Sequence, residues 1–517
     1  MASDITRTLD SAERARRKGD ASSAARGFAS VLVEFPGNRR AQQGLRRTKA
    51  RAITDLTSRA RSEQSRGALH SAERLWAELV QLAPSDDRAA RALALCRLDL
   101  GRIQGALGAL DGLPECPETL DLRGRILREL GDLGGAESCH RAALVDGPGD
   151  AAPLNNLGIL ARARGDLEAA ATFFQKAIRW APDNGDVHYN LARAGGDAKA
   201  HMAALKKLPA SDPAGHFAIF ERLNTLRQHD LAFAHLLKGN ALRARTAGFD
   251  PAREAALFTW LAQMQPANLS DMAPLTGPRP VFIVGLPRSG TTLVERVLGQ
   301  SAGVQMGGEL PVVSGAVAPL LRQLQDESRE HPDRSDILAL RQKLDEGFAA
   351  RSDGRPLLTD KMPLNFRWVG LLRAALPEAR FVHVTRDAVP LAFSLLRHSF
   401  AGGGNKFCYD PAHIVFYMAL HKALTDGWAA RFGEVIHALH YSDLVADPEH
   451  QGKALCGACD VEWSAGNLRP EDNSAPVLTA SNMQVRHPIA PGADDGWHPY
   501  RTGMAPIIAA LTAAGVT

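Results

Sequence analysis

Residues 280–292 read PVFIVGLPRSGTT, and this stretch decides the fold of the second half of the chain. Its first five residues are apolar and include β-branched side chains, as in a short buried strand, and an apolar helix pattern follows Thr292. Gly285 and Gly290 keep the spacing of a phosphate loop, in which backbone N–H groups and the positive end of a helix surround an anion. The sequence therefore predicts a strand, a phosphate-binding loop and a helix in succession.

The residue after the second glycine separates two classes of phosphate-binding enzyme. A nucleoside triphosphatase has a lysine there and holds Mg²⁺ with the next hydroxyl and with an aspartate from another strand. Here Thr291 takes the place of that lysine, and the cation inside the loop is Arg288. Asp360 could supply the aspartate, but no residue replaces the lysine. A nucleotide-dependent kinase or hydrolase is therefore the less favoured alternative.

Two further apolar runs are predicted to be buried strands that end at basic residues. Residues 379–385 precede Arg386 and a helix that carries Ser394, and residues 356–360 precede Lys361. Because the carboxyl ends of parallel strands share one edge of an open sheet, we expect the loop and both basic residues to meet in one crevice. Arg386 and Ser394 can converge on one phosphate, since arginine supplies paired donors.

The segment after Lys361 is expected to form a helix. Asn365 is predicted to cap this helix, which ends before Pro377. Lys361 then lies in the short connection between the strand and the helix.

The front half of the chain repeats with a period of 34 residues. This spacing separates three positions that end helices, at Pro114, Pro148 and Pro182, and the turn glycines Gly131 and Gly165. It also separates the small residues of a close-packing position, which are Gly124, Gly158 and Ala192. A period of 34 residues with small side chains between paired helices is typical of tetratricopeptide repeats. The repeats before Pro84 are degenerate, as expected for the end of a solenoid.

These patterns predict an α + α/β chain of three parts. Residues 1–198 form a tetratricopeptide-repeat helical solenoid, residues 199–277 form a helical bridge, and residues 278–517 form an α/β domain with a parallel central sheet. A solenoid offers a surface for a protein or peptide, but it serves equally well as a scaffold or a dimerisation arm. The oligomeric state stays open.

The loop sequence PRSGTT, the second basic strand end and the repeats together resemble the bacterial tetratricopeptide-repeat sulfotransferases. The sulfotransferase domain of that family is similar to tyrosylprotein sulfotransferases and uses 3′-phosphoadenosine 5′-phosphosulfate as co-substrate. The resemblance implies Glu309 in MGGEL as general base, with Lys361 and Arg288 as the other catalytic residues. It implies these donor-binding residues: Pro287, Arg288, Ser289, Gly290, Thr291, Thr292, Arg386, Ser394, Tyr441 and Ser481.

The resemblance implies transfer of a sulfuryl group to a hydroxyl or an amine without a metal. The acceptor stays unidentified, because these motifs do not separate a protein or peptide from a carbohydrate, a lipid or a small molecule. A catalytically weak or inactive repeat adaptor that keeps the fold is the second alternative. One segment departs from the family, since Asp494 and Asp495 stand beside Trp497 where relatives carry basic residues. Two acids there are expected to weaken donor binding unless Arg486 or Arg501 compensates.

Bulk composition excludes several other classes. The 61 basic and 57 acidic residues give a net charge of +4, too small to predict nucleic-acid binding, and no stretch is long and apolar enough to span a membrane. The six cysteines have no framework spacing, so disulfides are not expected and a cytoplasmic location is predicted. Cys456 and Cys459 form a lone CxxC pair without a second pair nearby, which does not make a zinc site.

Overall fold

The computed structural model of the chain describes residues 2–146, 149–267, 272–400, 404–473, 486, 488–489 and 495–516. It contains two compact units, Met1–Leu157 and Gly158–Thr517. This division falls inside the predicted repeat segment, and the predicted boundaries at 198 and 277 remain predictions. Among the helices that the structure describes, none combines the length and apolar character needed to cross a bilayer.

The first unit is built from consecutive helices that pack against one another. They are α1 (Ala2–Arg17), α2 (Ala21–Glu34), α3 (Arg39–Ser65), α4 (Leu69–Leu82), α5 (Asp87–Asp99), α6 (Ile103–Gly108), α7 (Pro117–Glu129), α8 (Leu133–Asp146) and the start of α9 (Ala151–Arg164). Gly124 of α7 lies under the His140 ring of α8, where an added Cβ would stand 2.7 Å from the imidazole. The small residue predicted at this position therefore allows two helices to approach closely.

The repeated glycine–aspartate pair forms the turn between two helices of a repeat. Gly131 and Gly165 have φ values of +86° and +90°, which glycine adopts without a steric penalty. The aspartate that follows each glycine caps the next helix: Asp132 accepts from the Gly135 amide at 2.8 Å, and Asp166 accepts from the Ala169 amide at 2.9 Å. The 34-residue period thus corresponds to a repeated turn and cap.

The second unit continues with repeat helices and then forms the sheet domain. Its helices before the sheet are the rest of α9, α10 (Leu167–Trp180), α11 (Gly185–Ala194), α12 (Ala198–Leu205), α13 (Pro213–Thr225), α14 (His229–Ala247) and α15 (Pro251–Gln263). The later ones are α16 (Thr291–Gly299), α17 (Val312–Asp326), α18 (Arg334–Ala349), α19 (Val369–Ala375), α20 (Ala388–Leu396), α21 (Pro411–Phe432), α22 (Tyr441–Ala446), α23 (Pro448–Ala458) and α24 (Arg501–Ala513). Short 3₁₀ helices cover Pro363–Trp368, Lys406–Tyr409, Ala465–Leu468, Pro470–Asp472 and Asp495–Tyr500.

The described part of the second unit contains one five-stranded sheet. Its strands are β1 (Arg279–Gly285), β2 (Val304–Met306), β3 (Leu357–Asp360), β4 (Arg380–Thr385) and β5 (Ile436–His440). They lie in the order β2-β3-β1-β4-β5, and every pair is parallel. The three strands predicted from the sequence are confirmed as β1, β3 and β4. The short strands β2 and β5 were not predicted.

Both faces of the sheet are covered, as its continuous apolar strands require. Phe282 and Val284 of β1 point into the larger core, whereas Val281 and Ile283 point into a second core on the opposite face. Cys456 and Cys459 are buried in that second core as free thiols. The α + α/β fold class is therefore confirmed, with helical repeats preceding a domain that has a parallel sheet.

The helices that precede the sheet share its larger core. Phe217 and Phe220 of α13 belong to the same buried cluster as Phe282 of β1. Tyr500 connects the two parts, because its ring lies 5.9 Å from the Phe220 ring and 4.9 Å from the Phe393 ring of α20. Side chains from α11 and α13 thereby reach the segment that follows α20.

Candidate functional site

The predicted phosphate loop, Pro287–Thr292, connects β1 to α16 at the carboxyl edge of the sheet. Three of the residues in and beside it have positive φ values: Gly285 at +150°, Arg288 at +71° and Gly290 at +109°. A side chain at either glycine would collide with its surroundings, since a Cβ on Gly290 would stand 2.5 Å from the Tyr441 ring. Arg288 holds a left-handed conformation that costs a residue with a side chain about 1–3 kcal/mol, and such strain clusters at functional sites.

Arg288 joins the loop to the two residues predicted to bind a second phosphate. Its side chain is 8% exposed, and its Nε donates a hydrogen bond to Ser394 Oγ at 3.1 Å. Its carbonyl oxygen accepts from Arg386 Nη1 at 2.8 Å. The structure therefore brings Arg288 together with Arg386 and Ser394, which lie 98 and 106 residues further along the chain.

This part of the site is strongly cationic. Burial, followed by the charges of Arg193, Arg386 and Arg397, lowers the pKa of Arg288 to about 9. Burial and the same arginine cluster hold the pKa of His398 well below its usual value, and its Nδ1 lies 2.9 Å from the Ser394 carbonyl oxygen. A buried guanidinium with further arginines around it is electrostatically suited to an anion, and of these arginines Arg397 is also paired with Glu221 at 3.2 Å.

Two residues of this region, Arg193 and Tyr189, were not predicted from the sequence. Arg193 lies on the repeat helix α11, where its guanidinium stacks on Tyr189 at 5.7 Å from the ring centroid. Tyr189 in turn accepts a hydrogen bond from the Ser399 amide at 3.3 Å, next to His398. No local pattern marks these residues, because they reach the site only through the packing of α11 against the segment after α20.

Tyr441 lies beside the loop, at the first residue of α22. Its ring contacts the Cα position of Gly290 closely, and the Arg386 guanidinium stacks over it at 4.9 Å from the centroid. The ring therefore contacts two of the predicted donor-binding residues. Tyr441 thus lies beside other predicted donor-binding residues, while its own role in donor binding stays a prediction.

Lys361 and Glu309 form an ion pair at the end of β3. Lys361 Nζ lies 2.8 Å from Glu309 Oε1, the lysine side chain is 1% exposed and the glutamate side chain is 45% exposed. The Lys361 amide also donates to the Gly308 carbonyl oxygen at 2.8 Å, which fixes the glutamate-bearing loop beside the strand. The two residues predicted as base and catalytic lysine thus meet at the carboxyl edge of the sheet.

The prediction that Asn365 caps a helix is wrong. Asn365 lies within the 3₁₀ helix Pro363–Trp368, and its amide donates to Asp360 Oδ2 at 3.2 Å. The following helix α19 begins at Val369 and ends at Ala375, before Pro377 as expected. Asp360 is fully buried, and this burial raises the pKa of its carboxyl well above the usual value.

Some of the predicted residues lie outside the described part of the chain. These are Ser481 and Asp494. Asp495 begins the 3₁₀ helix that contains Trp497, and Arg501 stacks over the Trp497 ring at 5.6 Å. Arg486 donates to the Ala163 carbonyl oxygen at 2.6 Å, at the end of α9. The effect of the two acids on donor binding remains a prediction.

Comparison with known families agrees with both parts of the chain. Residues 280–465 match the sulfotransferase family. The second half of the chain carries a sulfotransferase-family domain. Residues 57–118 and 122–187 match the tetratricopeptide repeat. Within the sulfotransferase domain, the matched region contains the phosphate loop, the Glu309–Lys361 pair, Arg386, Ser394 and Tyr441.

The relatives of the chain include bacterial and animal proteins. An uncharacterized protein from Aquifex aeolicus is 30% identical over 311 residues, covering 57% of this chain and 41% of the relative. The protein-tyrosine sulfotransferase of Drosophila melanogaster is 24% identical over 42% of this chain and 46% of its own length. Protein-tyrosine sulfotransferase 1 of Danio rerio is 25% identical over 37% of this chain and 56% of its own length. The chain thus spans less than two thirds of these relatives.

Proposed function

We propose that the protein is a sulfotransferase that moves a sulfuryl group from 3′-phosphoadenosine 5′-phosphosulfate to a hydroxyl or an amine of an acceptor. The contact of Arg288 with both Ser394 and Arg386 carries this proposal. A donor with two separate phosphate groups needs two neighbouring anion sites, and these contacts join the loop to a second basic segment. The family match of residues 280–465 supports a transferase of this class.

The loop has the chemistry that a phosphosulfate group requires. Arg288 and Gly290 have positive φ values on either side of Ser289, the kind of backbone turn that is found in anion-binding nests. Ser289 is fully buried, and its Oγ has no hydrogen-bond partner within the described residues. A buried hydroxyl without a partner is unfavourable in the unliganded protein, and a donor oxygen would satisfy it. These features fit the 5′-phosphosulfate, while Arg386 and Ser394 fit the 3′-phosphate.

The Glu309–Lys361 pair supplies a base and a cation for the transfer. The acceptor oxygen or nitrogen attacks sulfur, Glu309 takes the acceptor proton, and the bond between sulfur and the bridging oxygen breaks. The electron pair of that bond leaves with 3′-phosphoadenosine 5′-phosphate, whose developing negative charge Lys361 and Arg288 stabilise. The exposed Glu309 carboxylate can meet an acceptor from solvent, whereas the side chain of Lys361 is buried beneath it.

The phosphate loop lacks a lysine after Gly290, which argues against a Mg²⁺-dependent kinase or hydrolase. Thr291 stands in the place of the lysine that nucleoside triphosphatases have there. Asp360 is the aspartate that would hold Mg²⁺ in such an enzyme, and one of its oxygens accepts from Asn365. The remaining alternative is an adaptor that binds the donor without transferring its sulfuryl group.

Replacing the base distinguishes a sulfotransferase from an adaptor. We expect Glu309→Ala to bind 3′-phosphoadenosine 5′-phosphate as the unmodified protein does, measured by calorimetry, but to lose transfer of radiolabelled sulfate to a lysate of the source organism. The general base contributes about 10²–10⁴-fold to the rate. An unmodified protein that binds the spent donor but labels no acceptor would support the adaptor. Full transfer by the variant would remove Glu309 from the mechanism.

A further inference from the structure

Glu295 is a buried acid that the proposed chemistry does not use. It lies in the second turn of α16, directly after the phosphate loop, and is 6% exposed. Its Oε1 accepts two hydrogen bonds at 2.8 Å, one from the Gly308 amide and one from Thr359 Oγ1. Removing a carboxylate from water is costly, so such residues are rare without a specific partner. The partners of Glu295 belong to the segments that carry Glu309 and Lys361.

The hydrogen bonds around Gly308 connect its turn both to α16 and to the end of β3. Thr359 Oγ1 donates to Glu295 and also accepts from the Gly307 amide at 3.2 Å. On the other side, the Gly308 carbonyl oxygen accepts from the Lys361 amide at 2.8 Å. Both backbone groups of Gly308 are therefore held, its N–H by α16 and its carbonyl by the end of β3.

The turn at Gly307 and Gly308 has a backbone conformation that favours glycine, so hydrogen bonds rather than side chains must hold it. Gly308 has a φ of +65°, and a Cβ on Gly307 would collide with the Thr359 carbonyl oxygen. The two glycines are flexible in the unfolded chain and are fixed here largely by hydrogen bonds. Glu309 follows directly, so the direction of its side chain depends on how this turn is held.

We propose that Glu295 is a positioning residue that fixes the Gly307–Gly308 turn and thereby holds the Glu309 carboxylate against Lys361. The inference rests on the proposed function, in which these two residues are the base and the cation. Because α16 begins at the phosphate loop, Glu295 also connects the donor-binding segment to the base through one turn of helix. A charged acceptor shared by two donors makes this connection stronger than a neutral one.

Hydrogen exchange of the Gly308 amide tests the role of Glu295 without an acceptor. In the full-length Glu295→Ala variant we expect this amide to exchange at least about tenfold faster, because its hydrogen bond is lost. In Glu295→Gln the side-chain oxygen still accepts, so we expect exchange within about threefold of the unmodified protein. Thr359→Val removes the second donor and is expected to give an intermediate increase, while Glu434→Ala changes an exposed carboxylate and serves as the matched control.

Kinetics with 4-nitrophenol as the probe hydroxyl test the consequence for transfer. We expect Glu295→Ala to lower kcat about 10–100-fold, since a misplacement of about 1 Å near the chemistry costs up to this much. The donor KM and the affinity for 3′-phosphoadenosine 5′-phosphate should stay within about threefold, and Glu295→Gln should restore most of kcat. A merely structural role would instead lower the melting temperature of both variants and weaken donor binding.

The exchange and kinetic experiments together separate failure of this inference from failure of the proposed function. Unchanged Gly308 exchange in Glu295→Ala, or an unchanged kcat, would overturn the positioning role. An unmodified protein that neither binds 3′-phosphoadenosine 5′-phosphate nor transfers sulfate to the probe would overturn the proposed function. In that case the exchange rate alone would still decide whether Glu295 holds the turn.

Discussion

Arg288 and Lys361 are both buried cations at the carboxyl edge of one sheet, but their surroundings differ in charge. Lys361 pairs with the Glu309 carboxylate at 2.8 Å. Arg288 contacts the neutral Ser394 hydroxyl and lies among Arg193, Arg386 and Arg397, so that burial and neighbouring charge lower its pKa to about 9. A buried guanidinium among other arginines is stabilised by an added anion, whereas a carboxylate–ammonium pair suits proton and charge transfer. We therefore expect the first region to dominate donor binding, with Arg288 also stabilising the leaving group, and the second region to carry the proton transfer.

Of the two cations, Lys361 should give the larger effect when it is replaced, and the effect should fall on the rate of transfer. We expect Lys361→Met to lower the transfer rate about 10²–10³-fold, the range observed when one donor to a developing negative charge is removed. The KM for the intact donor should change little, because the charge that Lys361 stabilises develops only as the bond to sulfur breaks. Lys343→Met, which alters an exposed lysine of α18, is the control. A loss of donor affinity that matched the loss of rate would show that Lys361 contributes to donor binding as much as to the transfer step.

Replacing Arg288 should instead weaken donor binding. We expect Arg288→Met to reduce the affinity for 3′-phosphoadenosine 5′-phosphate about 10–100-fold, because hydrogen bonds to charged groups contribute about 1.5–3 kcal/mol. Methionine keeps much of the buried volume without the charge, and removing one of four neighbouring cations should not destabilise the unliganded fold. Arg322→Met, at an exposed position of α17, is the control. Unchanged calorimetric affinity in Arg288→Met would place the donor elsewhere.

The two regions also differ in how far the sequence reveals them. The strand, loop and helix around Arg288 were predictable, because apolar periodicity and glycine spacing are local signals. Arg193 was not, since it reaches Arg288 only through the packing of α11. Glu295 gave no signal either, because its partners are distant in sequence and its place in α16 looks like an ordinary polar position. The Asn365 prediction failed because a 3₁₀ helix begins at Pro363, two residues earlier, so that Asn365 lies inside the helix and its side chain turns to the buried Asp360 carboxyl.

The pH dependence of donor binding tests whether Arg288 binds the donor in its charged form. The pKa of Arg288 in the unliganded protein is lowered to about 9, and a bound anion favours the protonated form. The affinity for 3′-phosphoadenosine 5′-phosphate should therefore be constant below that pKa and fall by up to about tenfold per pH unit above it. Calorimetry between pH 7 and about 10, with folding checked by circular dichroism, measures this fall in affinity at high pH. Arg288→Met should lack it, and an affinity that stayed flat in the unmodified protein would contradict the assignment.

Ser394 should give the smallest effect, because it contributes a neutral hydrogen bond to the cationic region. Its Oγ accepts from Arg288 Nε at 3.1 Å, and in the proposed complex the same hydroxyl also reaches the 3′-phosphate. We expect Ser394→Ala to weaken binding of 3′-phosphoadenosine 5′-phosphate about 2–10-fold, corresponding to about 0.5–1.5 kcal/mol. Binding of adenosine 5′-phosphosulfate, which lacks the 3′-phosphate, should change less. Equal losses for both ligands would mean that Ser394 acts only by holding Arg288, and its place in the second phosphate site would have to be given up.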